Sequence, residues 1–460
     1  MTGRLSPRLA PLRGAPRLGG LGAVGLAVLL VGCTEKNPLY CEHDGDCQSG
    51  SCDKMIHTCA IVTSDGGVDG PPPMHCMSDM NCPTTQPHCM DGICRECVTS
   101  ADCTGGKVCG ADHACGACTS DSQCSFAGGA CEDGMCPPAS DVVWADCAQG
   151  CPGDGSMATP FCTLSAASST GRHYVVMTPR SCPYDSARIQ DGIQEIDGRG
   201  ATVAVTGGES GIFVSGGQAD VFVHDLAVTS STTMAQNGIM VANLGHLRVE
   251  RVSVFGLPGN ASVGIRADTA NLIVRKSLVY TNAGWGMVIG DTMYRIENSF
   301  ILGNGSTIGT TPAGTGGVRV IGNSTGAFVY NTVAKNVFEV PSPTMPNGAG
   351  VECDVAANLV DSLLIENQNG LNIYDTKGFC STTTGTITTT MAMPETSNDI
   401  FVDTSKPQES AMRQKGFHVK PGATMVIHKG VLQPSPTAPD DIDGDLRPSM
   451  TTPGADEPLP

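Results

Sequence analysis

Seven short stretches of the chain share one pattern of apolar and polar positions. Each opens on a glycine, at Gly211, Gly238, Gly264, Gly286, Gly317, Gly350 and Gly370. Apolar residues follow one and three places on: Ile212/Val214, Ile239/Val241, Ile265/Ala267, Met287/Ile289, Val318/Val320, Val351/Cys353 and Leu371/Ile373. The position between them is unrestricted, reading Phe213, Met240, Arg266, Val288, Arg319, Glu352 and Asn372. A period of two predicts a β-strand with one buried face, and recurrence every 20 to 33 residues marks a stacked repeat. A second apolar stretch follows, at 221–228, 247–254, 272–279, 294–301, 327–334 and 358–365, with a polar residue near its middle at Asp225, Arg251, Lys276, Asn298, Asn331 and Asp361. Each break predicts a turn between two strands of a coil. The pattern therefore predicts a mainly-β solenoid, a parallel β-helix lined by the apolar pairs. At a strand spacing of about 4.8 Å, seven rungs and less regular ends make a rod on the order of 40–50 Å long.

The N-terminus follows a different rule. Arg4, Arg8, Arg13 and Arg17 precede an apolar run from Leu21 to Val31 that is short for a bilayer span. It ends in Leu30-Val31-Gly32-Cys33, which resembles a bacterial lipoprotein signal. The resemblance implies removal of residues 1–32 and lipidation of Cys33, which would hold the protein on a membrane, by default the outer membrane or cell surface. Without that segment 23 basic residues face 45 acidic ones, a balance of −22. Such a charge argues against nucleic acid, whose phosphates require a basic face. With aromatic residues at only 4 %, a broad sugar-stacking platform is not expected.

Setting Cys33 aside leaves 22 cysteines, an even number that predicts disulfides in an exported chain. Sixteen form four modules: Cys41, Cys47, Cys52 and Cys59; Cys76, Cys82, Cys89 and Cys94; Cys97, Cys103, Cys109 and Cys115; Cys118, Cys124, Cys131 and Cys136. Asp44, Asp79, Ser100 and Asp121 recur three places after each opening cysteine. Units this small cannot bury a useful core, so covalent staples are expected, with the connectivity open. Zinc knuckles would require paired C-x2-C spacing within modules, and here that spacing occurs only at module junctions, Cys94/Cys97 and Cys115/Cys118. Residues 63–74, rich in glycine and proline, form a linker after the first module. The modules resemble the cysteine-rich C-x5-C repeats of bacterial surface lipoproteins and, more loosely, Dickkopf-type domains.

From Val142 onward Cys147, Cys151, Cys162 and Cys182 surround Gly153-Asp154-Gly155-Ser156 and Pro160-Phe161-Cys162-Thr163-Leu164. This stretch and the repeats after it are similar to right-handed parallel β-helix proteins of the pectate-lyase-like superfamily. The expected organisation is a signal over 1–32, a four-module stalk over 33–138, a right-handed parallel β-helix over 139–435 and a closing segment over 436–460. The stapled opening is expected to cap one end of the coil, and Phe417–Val431 with the closing segment the other. Cys353 and Cys380 are expected to pair.

Enzymes of the similar superfamily cleave polysaccharides on the outward face of one sheet, with Arg or Lys as base and acids holding calcium. The resemblance directs attention to Arg319, Glu352 and Asp354; Glu352 and Asp354 are the one carboxylate pair placed for chemistry, although an ion pair explains Arg319 beside Glu352 equally well. Asp441, Asp443 and Asp445 resemble part of a calcium loop, but its twelfth position is Thr452 where glutamate is needed. No cofactor is therefore expected, with calcium at these aspartates the one candidate. Residues 302–316 and 337–350 are long connections expected to wall a groove. The reading is a lipid-anchored cell-envelope protein that displays a β-helix for carbohydrate or protein contact without catalysis. A polysaccharide lyase or glycosidase with a divergent site is the alternative, and a structural spacer the third.

Overall fold

The computed structural model describes residues 52–53, 58–59, 76–232, 234, 237–259, 261–305, 315–338, 350–369, 372–383, 385–389, 395–411, 415–430, 439–448 and 451–458. The chain divides into compact units Met1–His75 and Cys76–Pro460. Residues 1–32, Cys33, Cys41, Cys47, the linker and most of the two long connections lie outside the described residues.

The first unit shows an antiparallel strand pair, Cys52–Asp53 with Thr58–Cys59. In the second unit three modules pair their cysteines first to third and second to fourth: Cys76–Cys89 and Cys82–Cys94, Cys97–Cys109 and Cys103–Cys115, Cys118–Cys131 and Cys124–Cys136. The residue three after the opening cysteine accepts a hydrogen bond from the third cysteine's N–H: Asp79 from Cys89 at 2.7 Å, Ser100 from Cys109 at 3.1 Å and Asp121 from Cys131 at 2.9 Å. That is why a short acceptor recurs there.

The solenoid is a mainly-β parallel β-helix, as the repeat pattern expects. Strands of the first sheet, from Ala187–Ile189 through Ser210–Ser215, Asn237–Ala242, Val263–Asp268, Trp285–Gly290 and Gly316–Ile321, pair in parallel with Ile212, Ile239, Ile265, Met287, Val318 and Val351 in register. A second sheet runs from Val142–Ala145 to Thr325–Val329, and a third, eight-stranded, from Thr202–Val205 to Ile387–Thr388. In the long strand Val351–Val360 the corner between the first two sheets is erased, so they join into one sheet of sixteen strands. The apolar pairs of the first six motifs face a continuous core with Val223, Val249, Val274 and Ile296 from the second sheet and Val228, Val254, Val279 and Ile301 from the third.

The seventh motif is not a rung. Gly370 and Leu371 lie outside the described residues, Asn372–Ile373 pairs antiparallel with Gln368–Asn369, and Ile373 is exposed. Thr376–Thr382 takes the rung position instead, parallel to Val351–Val360. The turns after the second sheet adopt positive φ at Asp225, Arg251, Lys276, Asn298 and Asp361 as the polar breaks suggest, but at Tyr330 rather than its neighbour Asn331.

At the corner between the third and first sheets, Asn282, Asn304, Asn336 and Asn367 stack at successive rungs. Each donates its amide to the next, at 3.0, 3.0 and 2.9 Å, and Asn367 donates to Asp375 at 2.9 Å. Each also donates to the carbonyl of a third-sheet valine or isoleucine and accepts a backbone N–H. The leading glycines make room for this. A Cβ at Gly264, Gly286 or Gly317 would fall 2.5–2.6 Å from the next rung's carbonyl and 2.8–2.9 Å from a ladder amide.

The far end closes differently from the expectation. Cys147–Cys182 and Cys151–Cys162 staple the opening, where Leu164 and Ala167 of the helix Leu164–Ser168 enter the core. Phe417 and the closing segment do not cap the far end; they cover the outside of the third sheet, where Ile400, Phe401, Phe417, Val419, Val426 and Ala455 bury Leu278, Tyr280, Phe300, Leu302, Leu363 and Ile365. The reason is apolar area: a sheet face of that composition has to be shielded from water. Cys353–Cys380 forms as expected, bridging the last two rungs. Among the described residues no helix is long and apolar enough to cross a membrane.

Two predictions follow from this framework. Asn336→Ala strips partners from Asn304, Asn367 and the Ile301 carbonyl at once, so we expect a loss of about 3–5 kcal/mol in urea unfolding; a loss below about 1 kcal/mol would show that the ladder is not a stabilising element. Because Cys52 and Cys59 pair in the antiparallel register that Cys89/Cys94 and Cys109/Cys115 share, non-reducing peptide mapping should recover Cys41–Cys52 and Cys47–Cys59. Any other pairing breaks the repeat rule.

Candidate functional site

The outward residues of the first sheet form a row across eight rungs: Arg188, Phe213, Met240, Arg266, Val288, Arg319, Glu352 and Lys377. Strand alternation puts the first seven there, since their neighbours on either side point into the core, and Lys377 joins them by its register with Glu352. The row mixes cations with apolar side chains. Beside it Val263, Trp285, Val288 and Ile321 make an outward apolar cluster.

The structure brings Arg319, Glu352 and Asp354 together. Arg319 Nη2 lies 3.0 Å from Asp354 and its Nε 3.9 Å from Glu352. Lys377, absent from the sequence reading, stands on the other side of Glu352 at 3.4 Å. Glu352 is thus buried between two cations, and Arg319 is shared by two carboxylates. Arg266 is likewise held by Asp268 at 2.6 Å. The contacts of Arg319 and Lys377 knit neighbouring rungs, whereas Arg266–Asp268 lies within one strand, and being partly exposed each is worth on the order of 0–1 kcal/mol.

A pocket of about 260 Å³ opens at the other end of the row. Phe213 and Met240 form its floor, Arg188 lies over the Phe213 ring at 4.7 Å, and Ser186, Glu209, Ser210 and Asn237 supply the rim. Asn237 donates to Ser210 at 3.2 Å. An apolar floor with a few convergent polar groups is the general form of a small-ligand site. The sequence pattern misses it because Arg188 sits on a strand without the leading glycine.

Asp441, Asp443 and Asp445 do not converge as one donor cluster. Asp441 accepts the N–H groups of Asp443, Asp445 and Glu457 at 2.9, 2.9 and 3.0 Å, so its carboxylate ties down the closing turn. Arg447 anchors the same segment, donating to Asn298 and Glu457 and stacking 4.0 Å from the Tyr330 ring.

A second ionic network lies on the second sheet. In successive rungs Asp197, His224, Glu250, Arg275 and Glu297 alternate in sign. His224 donates to Asp225 at 2.8 Å and Glu195 at 3.1 Å, with Asp197 at 3.8 Å. Burial disfavours its imidazolium, but those hydrogen bonds and the Asp197 charge outweigh burial and raise its pKa to about 9. Asp225, despite burial, is held well below the carboxylate range by His224 and Arg251. Arg199 binds Asp197 at 2.6 Å and Glu132 at 3.1 Å, and also binds Asp121, so the fourth module is clamped to the coil. Burial first, then the Asp197 charge, pushes Glu132 up to about 7.

No family model matches the chain, and no curated protein matches it. Among solved structures it is similar to the crystal structure of pectate lyase Pel9A, with 12 % identity and a TM-score of 0.40 over 69 % of this chain and 96 % of that one. It is also similar to the crystal structure of an alginate lyase from Paenibacillus sp. str. FPU-7, with 15 % identity and a TM-score of 0.27 over 47 % of this chain and 96 % of that one.

The network sets a pH dependence. A histidine raised to about 9 contributes stability that is complete below about 6.5 and lost as pH climbs through 9. Glu132, raised to about 7, adds a loss over the range from the normal carboxylate value to 7. Asp225, depressed, is lost only in acid. We expect the thermal midpoint to fall by several degrees from pH 7 to 10 and His224→Gln to flatten that limb; an imidazole of His224 titrating near 6.5 by NMR would refute the assignment.

Proposed function

We propose that the chain is a lipid-anchored protein of the bacterial cell envelope that binds carbohydrate or an envelope protein along the outward face of its first sheet, without turnover. The observation that carries this is the pocket at Arg188, Phe213 and Met240, where an aromatic ring, a thioether and a guanidinium meet a rim of hydroxyls and an amide. One face of a sugar ring packs on such a floor while its hydroxyls reach the rim, and the adjoining row extends the contact from rung to rung. The ion pairing of Arg266, Arg319, Glu352 and Lys377 also favours binding over catalysis, because their charges already serve one another. The anchor rests on Leu30-Val31-Gly32-Cys33.

The test is a polysaccharide panel offered to the purified chain with and without calcium, reading retention and product release together. We expect retention without release, weakened about tenfold by Phe213→Ala and by Arg188→Ala, which is about 1.4 kcal/mol each. Release of unsaturated or reducing sugar that disappears in Arg319→Ala or Asp354→Asn would establish the lyase or glycosidase alternative instead.

A further inference from the structure

The seam between the fourth cysteine module and the opening of the coil holds a cavity of about 570 Å³ that shares no residue with the Phe213 pocket. Its size is that of a small-ligand site, and such sites favour the junction of two packed units. Val142 and Trp144, on one face of the strand Val142–Ala145, line it from the coil side, and Gly128 and Gly129 from the module side. Trp144 is fixed in place: its Nε1 donates to the Gly128 carbonyl at 2.9 Å, and Arg199 stacks 5.2 Å from the ring. A Cβ on Gly129 would fall 2.7 Å from Met157 Sδ, so the exposed Met157 side chain lies against that glycine and gives the cavity one adaptable wall.

Arg172 and Asp154 also line the cavity, and they do not meet. Arg172 Nη1 donates to the Val142 carbonyl at 2.6 Å, and its remaining N–H groups have no acceptor among the described residues. Asp154 accepts the Ser156 N–H at 2.8 Å and the Thr159 hydroxyl, and among the described residues no cation lies within ion-pair distance of it. The hydroxyls of Thr159 and Ser156, and then the Ser156 N–H, hold its pKa at about 2, so the carboxylate is ionised. The neighbouring cations differ: Arg180 is gripped by Asp146 at 2.7 Å and Arg199 by three carboxylates. Strand geometry sets the separation of the unpaired charges. Arg172 is tied at Val142, whereas Gly155, next to Asp154, accepts from Trp144 N at 2.9 Å. Two residues of strand advance on the order of 7 Å, so a cation and an anion stand toward opposite ends of an aromatic-walled trough.

We propose that this cavity binds an ω-amino carboxylate, a ligand with an ammonium group and a carboxylate at the two ends of a short methylene chain, presented as the C-terminal lysine of a polypeptide. The carboxylate and Nζ of such a lysine are six bonds of about 1.5 Å apart, an extended reach of about 7 Å that matches the two charges. Arg172 takes the carboxylate through its remaining N–H groups, in the fork geometry that suits a carboxylate. Asp154 takes the ammonium, and the methylenes pack against Trp144 and Met157. Ligands of one charge fit less well. A simple anion is repelled by Asp154 and a simple cation by Arg172, and a uronate sugar brings the carboxylate without the ammonium.

The experiment uses the purified full chain at pH 7 and low salt, titrated calorimetrically with 6-aminohexanoate. Hexanoate and hexylamine serve as single-charge controls, and acetyl-Gly-Gly-Lys is offered with its terminus free or amidated. A Trp285→Phe chain leaves Trp144 as the one tryptophan, so its emission reports occupancy of this cavity. We expect one 6-aminohexanoate per chain, binding of the free-terminus peptide at least as tight, and a Trp144 emission change that saturates over the same concentrations. Hexanoate, hexylamine and the amidated peptide should bind at least tenfold more weakly, as should 6-aminohexanoate in Arg172→Gln and Asp154→Asn. Asp154→Asn is decisive, because an asparagine keeps the acceptor for Ser156 and Thr159 and removes only the charge. Silence in both heat and Trp144 emission, equal affinity for a single-charge control, or unchanged affinity in Asp154→Asn would each overturn the site, and refusal of the free-terminus peptide would overturn the C-terminal lysine.

Discussion

Every rung of a stacked coil has corners where backbone groups leave the strand ladder and face the interior, and burying them unpaired costs about 1–3 kcal/mol apiece. The stack of Asn282, Asn304, Asn336 and Asn367 meets that requirement by making each corner the partner of the next. A parallel ladder of Ser277, Ser299, Asn331, Ser362 and Thr386 does the same at the corner between the second and third sheets. The asparagine needs the close approach that only the glycine of the preceding rung's first-sheet strand permits, and the glycine motif needs the corner to hold its register. Apolar pairs supply most of the burial, but the ladders ensure that the rungs align without slipping.

The same stacking explains how an acidic chain tolerates so many charges on one rod. Equivalent outward positions lie one strand spacing apart, so each charge sees its neighbours more closely than it sees anything else. Sign therefore alternates where rungs are charged, as in Asp197, His224, Glu250, Arg275 and Glu297. The turn residues at positive φ continue this logic. Arg199, Asp225 and Arg251 bind one another or the fourth module, whereas Lys276, Asn298 and Asp361, farther along, receive the closing segment through Asp440, Arg447 and Gly454.

What could be read from the sequence was whatever repeats with an apolar signal. Six glycine-led strands and the division of each second stretch into two strands were visible because burial imposes a period. The seventh motif misled because Ile373 satisfies the pattern while lying in a hairpin, and the error hid Lys377, whose strand lacks a leading glycine. The asparagine ladder left only single polar letters between strands, at spacings of 22 to 32 residues, with nothing apolar to mark them. Cysteine spacing identified the modules but not their pairing, since four cysteines allow three connectivities.

The three outward faces of the coil meet different fates, and that difference bears on function. The third is too apolar to face water, and the C-terminal cover is the cost of that composition. The second is sealed by its own charge ladder and by the clamp from Arg199 to Asp121 and Glu132. The first keeps a mixed row of guanidinium, aromatic and apolar groups, with a concave site at Phe213 and Met240. Neither a cover nor a continuous charge ladder occupies it among the described residues. A face built of side chains that would gain from contact, on the most regular scaffold in the molecule, is where a partner would recover the most free energy for the least rearrangement.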